Sequence, residues 1–253
     1  MSEKISHYYP QSKVEINGFM ARYYDILLDT VTLGRYRPLI EKAIELMAIR
    51  PSDKILDLGS GTVTERHLAF YKRRACYLGA VIPEPLYIDK GLRELLTQMG
   101  IDSDDKIDGL KKLLDTIHQS GTKAIAHLNH PGRMANPNIP GNYFLSSTDR
   151  PCENGEERPR RMDREEMNKV ISLFVEGAVR AKKAGFDLIE LQFGHGYLLA
   201  QFISPYVNDR SDEFGGSFEN RIKFPLQVLE AVLNVVDLPI IVRISGDEMI
   251  PEG

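Results

Sequence analysis

The sequence predicts an α/β protein built around a parallel sheet. After residue 50, short apolar runs alternate with longer amphipathic stretches, in the order strand, helix, strand. Parallel strands need crossover connections of this length, and these are usually helical. The repeat is typical both of an open doubly wound sheet and of part of a barrel, and the pattern alone does not distinguish the two.

Five strand-like and four helix-like segments make up this repeat. The predicted strands are residues 54–58, 79–82, 123–128, 187–192 and 239–244. The predicted helices are residues 64–75, 108–119, 164–184 and 220–235, and Ser217 is expected to cap the last of them. Residues 131–161 are rich in Pro, Gly, Asn and Arg, which predicts a loop over the mouth of an active site.

Composition excludes several classes of protein. The 253 residues, 42% hydrophobic and 27% charged, suit one large or two small globular domains. A net charge of −4 gives no electrostatic case for a nucleic acid or an anionic membrane as partner. The start, MSEKISHYYP, has no apolar signal core, so we expect a cytoplasmic protein without a membrane span. Cys76 and Cys152 are far apart and are expected to be free thiols.

Several long motifs are shared with one family. They are VTERHLAFYKRRA from Val63, AHLNHPGRMANPNIPGN, AGFDLIELQFGHGYLLAQFISP, FGGSFENR and IIVRIS. In this order they resemble the old yellow enzyme family of flavin-dependent ene-reductases, which includes NADH:flavin oxidoreductases. The resemblance implies an incomplete (β/α)8 TIM-barrel-like parallel barrel with an N-terminal helical extension. It also implies FMN as cofactor, NAD(P)H as hydride donor and an electron-poor alkene as small-molecule substrate.

Three residues around the end of strand 187–192 are the catalytic candidates. The phenol of Tyr197 is protonated at pH 7 and can give its proton to a carbon next to one that has accepted hydride. His195 and Gln192 can hydrogen bond a substrate carbonyl oxygen and draw electrons from a conjugated double bond. Tyr197 could instead pack under the loop with its hydroxyl on a backbone carbonyl. The resemblance implies the role of proton donor, although relatives commonly have histidine where this chain has Gln192.

Arg243 is the first cofactor candidate because it lies inside an apolar run, where an unpaired charge is costly. From spacing alone its partner is either the pyrimidine edge of a flavin or Glu190 on the neighbouring strand. The resemblance favours the flavin. Strand alternation places Glu190 and Gln192 on one face, which we expect to point to the barrel axis.

The other cofactor candidates also end strands. His127 stands where many relatives have a flavin-contacting glutamine, and Glu84 and Pro85 follow strand 79–82 where relatives place small residues against the flavin. We predict no metal site, because no carboxylate pattern supports His127, His130 and His195 as ligands.

The first part of the chain has a different resemblance. Residues 23–61 resemble the start of a class I S-adenosylmethionine-dependent methyltransferase, with Asp57, Gly59 and Gly61 in a strand-turn motif and Val63 in place of a third glycine. We therefore divide the chain into residues 1–62 and 63–253. Strand 54–58 is expected to occupy the place of the first barrel strand, next to strand 79–82. A remnant that binds S-adenosylmethionine is one alternative function.

The chain stops at Gly253, just after the fifth strand-like segment. Three strands of an eight-stranded barrel are unaccounted for, as are the loops that usually hold the cofactor phosphate. Exposed sheet edges invite pairing with another chain, so we expect a homo-oligomer or a marginal fold. A truncated or chimeric chain that binds no flavin is the other alternative.

Overall fold

The computed structural model describes residues 61–152 and 157–250, and a parallel sheet forms its centre. The strands are β1 (Ala80–Val81), β2 (Leu86–Tyr87), β3 (Lys123–Asn129), β6 (Leu188–Phe193) and β7 (Ile240–Ile244). They follow the order β1, β3, β6, β7, and β2 also pairs with β3. The main helices are α1 (Glu65–Ala75), α2 (Ile107–His118), α3 (Arg164–Ala184) and α6 (Lys223–Leu233). The predicted repeat of parallel strands and crossover helices is confirmed in this part of the chain.

Strand alternation separates an apolar face from a polar one. Ala124, Ala126 and Leu128 of β3 are fully buried in the hydrophobic core, as are Ile189 and Leu191 of β6. The register pairs His127 with Glu190 and Gln192 with Arg243, so the intervening residues share the opposite face. The helices therefore cover the apolar face, and the other face carries polar groups.

The strand predicted over residues 79–82 is interrupted. In the structure β1 covers Ala80–Val81, and pairing with the same neighbour resumes at β2. Pro83 and Pro85 lie between the two pieces and have no N–H to donate to a ladder. The two short strands are thus one interrupted strand along β3.

Local sequence signals define the helix ends. Asp163 accepts a hydrogen bond from the Glu166 backbone at 2.8 Å, and Glu166 in turn accepts one from the Asp163 backbone at 3.0 Å, which caps α3 at its start. Gly185 ends α3 with a φ of +100°, a conformation that glycine adopts without strain.

The helix predicted over residues 220–235 is two helices, α5 (Phe218–Arg221) and α6. Ser217 caps α5 as predicted, accepting a hydrogen bond from the Asn220 backbone at 3.3 Å. Pro225 lies in the first turn of α6 and cannot donate to the carbonyl one turn earlier. The continuous ladder that the pattern predicted is therefore broken near Ile222.

The segment 131–161 has more order than a loop. It contains a 3-10 turn at Gly132–Met134, and its strand β4 (Leu145–Ser146) pairs in parallel with β5 (Arg160–Arg161). The next short helix, α4 (Leu198–Ile203), contacts both β4 and the 3-10 turn. The segment consequently packs against the chain that follows β6.

Most of the methyltransferase-like segment, including strand 54–58, lies outside the described residues. Gly61 is described, and its carbonyl accepts a hydrogen bond from the Gly100 backbone at 3.0 Å. Its φ is +71°, and a Cβ there would lie 1.9 Å from the Tyr87 hydroxyl. The packing of Tyr87 accounts for a glycine at this position without a cofactor.

An apolar groove of about 610 Å³ runs along the outer side of the sheet beside β7. Its lining includes Ile203, Leu226, Leu229, Val242 and Ile244. Within the described residues β7 pairs only with β6, so its other edge is open. None of the helices in the same residues has the length and apolar character needed to cross a membrane.

Candidate active site

The polar face of the sheet gathers five side chains near the carboxyl ends of three strands. They are His127 and Asn129 of β3, Glu190 and Gln192 of β6, and Arg243 of β7. All but Arg243 are buried. The structure thus brings together three of the predicted site residues, and adds Asn129, which strand alternation from His127 could have predicted.

His127 and Glu190 form a buried pair. The imidazole Nδ1 lies 2.6 Å from a carboxylate oxygen of Glu190, and Arg243 Nη1 lies 3.6 Å from the same oxygen. Burial lowers the pKa of His127, while the neighbouring carboxylate opposes that shift. A neutral imidazole that donates Nδ1–H to Glu190 presents Nε2 as an acceptor, and Nε2 is buried without a partner. Paired with Glu190 in this way, His127 offers the site a hydrogen-bond acceptor.

Both partners expected for Arg243 remain available to it. The contact with Glu190 is present, but at 3.6 Å it is longer than a good hydrogen bond. The Arg243 side chain is also 46% exposed. The guanidinium therefore lies near the Glu190 carboxylate and still has N–H groups that can donate hydrogen bonds to a bound ligand.

Gln192 orients His195. Gln192 Nε2 lies 3.0 Å from His195 Nδ1, and because an amide nitrogen only donates, Nδ1 is the acceptor and Nε2 carries the proton. The backbone of His195 has a φ of +59°, which is strained for a residue with a side chain, and its N–H donates to Ser245 Oγ at 3.0 Å. His195 is exposed, so the loop holds an N–H donor at the open end of the site.

Tyr197 lies at the start of α4, close to His195. The two ring centroids are 6.5 Å apart. The phenol is half-buried, and the carboxylate of Glu94 is close enough to influence it. Burial and this carboxylate both raise the pKa of Tyr197.

Gln201 is a buried residue that sequence reasoning missed. Its Nε2 donates to the carbonyls of Pro131 at 3.1 Å and Gly196 at 2.7 Å. Its Oε1 accepts from Ser146 Oγ at 2.9 Å and from the Arg133 backbone at 3.3 Å. A polar residue inside the apolar run LLAQFI was the available signal. Gln201 joins segment 131–148 to the loop that carries Tyr197.

The structure does not bring Glu84 to this cluster. One carboxylate oxygen accepts from the Met99 backbone at 2.6 Å, and the other lies 3.7 Å from His67 Nε2 on α1. The carbonyl of the next residue, Pro85, accepts from Gln98 at 3.0 Å. The cofactor roles predicted for Glu84 and Pro85 stay predictions.

His130 is fully buried beside the site. Its Nδ1 accepts a hydrogen bond from the Gly132 backbone at 3.0 Å, and burial lowers the pKa of His130 to about 3. Across residues 61–152 and 157–250, no group of three His, Cys, Asp or Glu side chains has a geometry that could hold a metal ion.

Known proteins share this fold and these motifs. The model of the NADH:flavin oxidoreductase / NADH oxidase family matches residues 48–253. An NADPH dehydrogenase of Bacillus velezensis is 38% identical over 194 residues, covering 76% of this chain and 56% of that protein. An NADH:acrylate oxidoreductase of Vibrio harveyi is 37% identical over 179 residues, covering 70% of this chain and 18% of that protein.

A solved structure of morphinone reductase in complex with tetrahydroNAD is similar with a TM-score of 0.69 and 26% identity. The match covers 74% of this chain and 56% of that one, so the chain spans about half the length of such relatives. It confirms the predicted incomplete (β/α)8 barrel. The family implies FMN as cofactor and NADH or NADPH as hydride donor. The chain therefore belongs to the NADH:flavin oxidoreductase / NADH oxidase family.

Proposed function

We propose that this chain is an FMN-dependent oxidoreductase that uses hydride from NAD(P)H to reduce an electron-poor, α,β-unsaturated small molecule. One observation carries the proposal. His127 Nε2, Asn129 Oδ1 and Gln192 Oε1 are buried polar atoms without a hydrogen-bond partner. Such atoms are costly unless a ligand or water pairs with them. All three belong to the polar face of one sheet, where the family's cofactor is expected.

The residues present fit a flavin. The pyrimidine ring of a flavin has an N–H that can donate a hydrogen bond to His127 Nε2. It also has carbonyl oxygens that can accept hydrogen bonds from the Arg243 guanidinium. The positive charge of Arg243 would favour the negative charge that this ring gains on reduction. When bound, FMN takes hydride from the nicotinamide and delivers it to an alkene carbon.

The remaining chemistry belongs to side chains after β6. His195 Nε2–H is free to donate to a substrate carbonyl oxygen at the open end of the site, and the Gln192 amide keeps it in that tautomer. This hydrogen bond withdraws electrons from the conjugated double bond. Tyr197 supplies the proton for the second alkene carbon. The name of the Vibrio harveyi relative includes acrylate, an alkene conjugated to a carboxylate, and this supports the substrate class.

The test separates the two half-reactions. Purified full-length chain is incubated with FMN, and bleaching of its flavin band by NADH or NADPH is followed by reoxidation with acrylate or 2-cyclohexenone. Tyr197→Phe should leave bleaching unchanged within about twofold and slow reoxidation by about 100-fold or more, the usual contribution of a general acid. Tyr77→Phe, at a position 86% exposed, is the matched control.

Two results would count against the proposal. A protein that stays colourless with added FMN would favour a chain without flavin binding. Equal loss of both half-reactions in Tyr197→Phe would remove the assignment of Tyr197 as proton donor.

The division of the chain is part of the proposal. Residues 63–253 would form the flavin-binding part and residues 1–62 the methyltransferase-like part, although the family match begins earlier, at residue 48. Binding of S-adenosylmethionine, measured by calorimetry, tests the second resemblance. A cytoplasmic location also remains a prediction.

A further inference from the structure

Glu190 of β6 lies between two of the cofactor candidates. On β3 its register partner is His127, and on β7 Arg243 lies two residues beyond its other register partner, Ile241, and so on the same face of the sheet. One carboxylate oxygen of Glu190 is 2.6 Å from His127 Nδ1 and 3.6 Å from Arg243 Nη1. A single atom on the middle strand therefore contacts the side chains on both flanking strands.

We propose that Glu190 is a positioning residue that fixes the proton of His127 on Nδ1, so that Nε2 remains a bare acceptor on the face that also carries the Arg243 donors. The inference rests on the proposed function, because FMN is the group that this arrangement would bind. Glu190 itself need not touch the ligand. It acts through the tautomer of His127.

The position of the proton follows from the surroundings of the pair. The side chains of His127 and Glu190 are only 4% and 6% exposed, so water competes little for their hydrogen bond. Burial lowers the pKa of His127, Glu190 opposes that shift, and Arg243 and His195 add to it, which leaves a neutral imidazole with one N–H. A carboxylate oxygen only accepts, so the contact at 2.6 Å needs the proton on Nδ1.

The resulting pattern of donors and acceptors defines the ligand edge that fits. Nε2 of His127 is buried without a partner and suits an N–H, whereas the N–H groups of Arg243, whose side chain is 46% exposed, suit carbonyl oxygens. The pyrimidine ring of a flavin has both, as an N–H between two carbonyl groups. With the proton on Nε2 instead, two N–H groups would oppose each other without partners. Glu190 therefore selects the edge of the cofactor that His127 can bind.

The first measurement needs no flavin. Nitrogen NMR of full-length chain labelled in histidine distinguishes a protonated ring nitrogen from a bare one, and the signals of His127 are those lost in His127→Gln. We expect the parent to carry the proton on Nδ1. Glu190→Leu removes the acceptor and should lose most of this form, whereas Glu190→Gln retains an oxygen that can accept and should keep more of it. Glu230→Gln, at an exposed position on α6, is the matched control.

The second measurement is the dissociation constant for FMN, followed by its absorption band. Glu190→Leu should weaken binding at least about tenfold, since the ligand N–H loses its acceptor, and Glu190→Gln should weaken it less. His127→Gln tests the route, because an amide can rotate to present its oxygen and needs no neighbour to fix a tautomer. In the His127→Gln background, Glu190→Leu should weaken binding by less than about threefold.

Three results would overturn the inference. A parent spectrum with the proton on Nε2 would do so, even if a variant fails to fold. A His127 signal in Glu190→Leu identical to that of the parent would do so too. The third is an equal loss of FMN affinity from Glu190→Leu with and without His127→Gln, since a general structural defect acts in both backgrounds. If the parent takes up no FMN, the proposed function fails, while the NMR spectrum still decides whether Glu190 fixes the tautomer.

Discussion

Replacing Gln201 with alanine removes the side chain that joins segment 131–148 to the loop carrying Tyr197. Four hydrogen bonds are lost: two to the carbonyls of Pro131 and Gly196 and two from Ser146 and Arg133. Each typical bond contributes about 0.5–1.5 kcal/mol net, and a buried group left without a partner costs about 1–3 kcal/mol. Water entering the vacated space would satisfy some of these groups. We therefore expect Gln201→Ala to lower the free energy of unfolding by about 2–4 kcal/mol.

Urea unfolding followed by far-UV circular dichroism measures this loss, since the chain has no tryptophan to report by fluorescence. Gln119→Ala, at an exposed position after α2, is the matched control and should change stability by less than about 0.5 kcal/mol. Gln201→Glu should destabilise at least as much as alanine, because an oxygen would face the two carbonyls. A change in Gln201→Ala no larger than in the control would refute the reasoning that these four bonds hold the loops together.

Three further predictions concern pH, charge and assembly. Since the pKa of His130 is lowered to about 3, the unfolded chain binds a proton between about pH 6.5 and 3 that the folded chain does not. The contribution of His130 to the free energy of unfolding is thus complete above about pH 6.5 and falls by up to about 1.4 kcal/mol per pH unit as the pH drops. His130→Asn should flatten the dependence of the urea midpoint on pH between 7 and 5, and an unchanged slope would contradict this. Arg243→Gln should raise the pKa of His127, because the positive charge of Arg243 helps to lower it; NMR of the imidazole tests this, and a fall or no change would count against the contact. The open edge of β7 and its apolar groove predict a homo-oligomer by light scattering, and a monodisperse monomer with a cooperative melt in the absence of flavin would oppose it.

Much of the fold could be predicted because its signals are local. The boundaries of α3 follow from the capping pair Asp163 and Glu166 and from Gly185, and the structure has the predicted helix unchanged. Strand β3 was predicted from its apolar alternation to within one residue. The predicted element bounds were wrong near prolines, at Pro83 and Pro85 in the interrupted strand and at Pro225 in the divided helix. Hydrophobic periodicity indicates which residues are buried, but it does not show where proline lacks the N–H that a strand or helix needs.

The candidate site was predictable where one strand or loop carries it. Period-two alternation placed Glu190 and Gln192 on one face, and the motif around Tyr197 indicated this residue as the candidate proton donor by its resemblance to a family. Glu94 had no comparable signal. It lies about 100 residues from Tyr197 along the chain and follows no recognisable motif, so only folding brings the two together.

The sequence by itself determined the family, the parallel order of strands and the identity of Tyr197, His195, Gln192, His127 and Arg243 as candidates, because periodicity and motifs are properties of neighbours in the chain. The tertiary structure alone decided their partners. It tied the Glu84 carboxylate to α1 and Met99, paired His127 with Glu190, and joined Gln201 to Pro131 and Ser146. The direction in which a side chain donates or accepts depends on contacts made across the sheet, and those contacts exist only once distant strands have met.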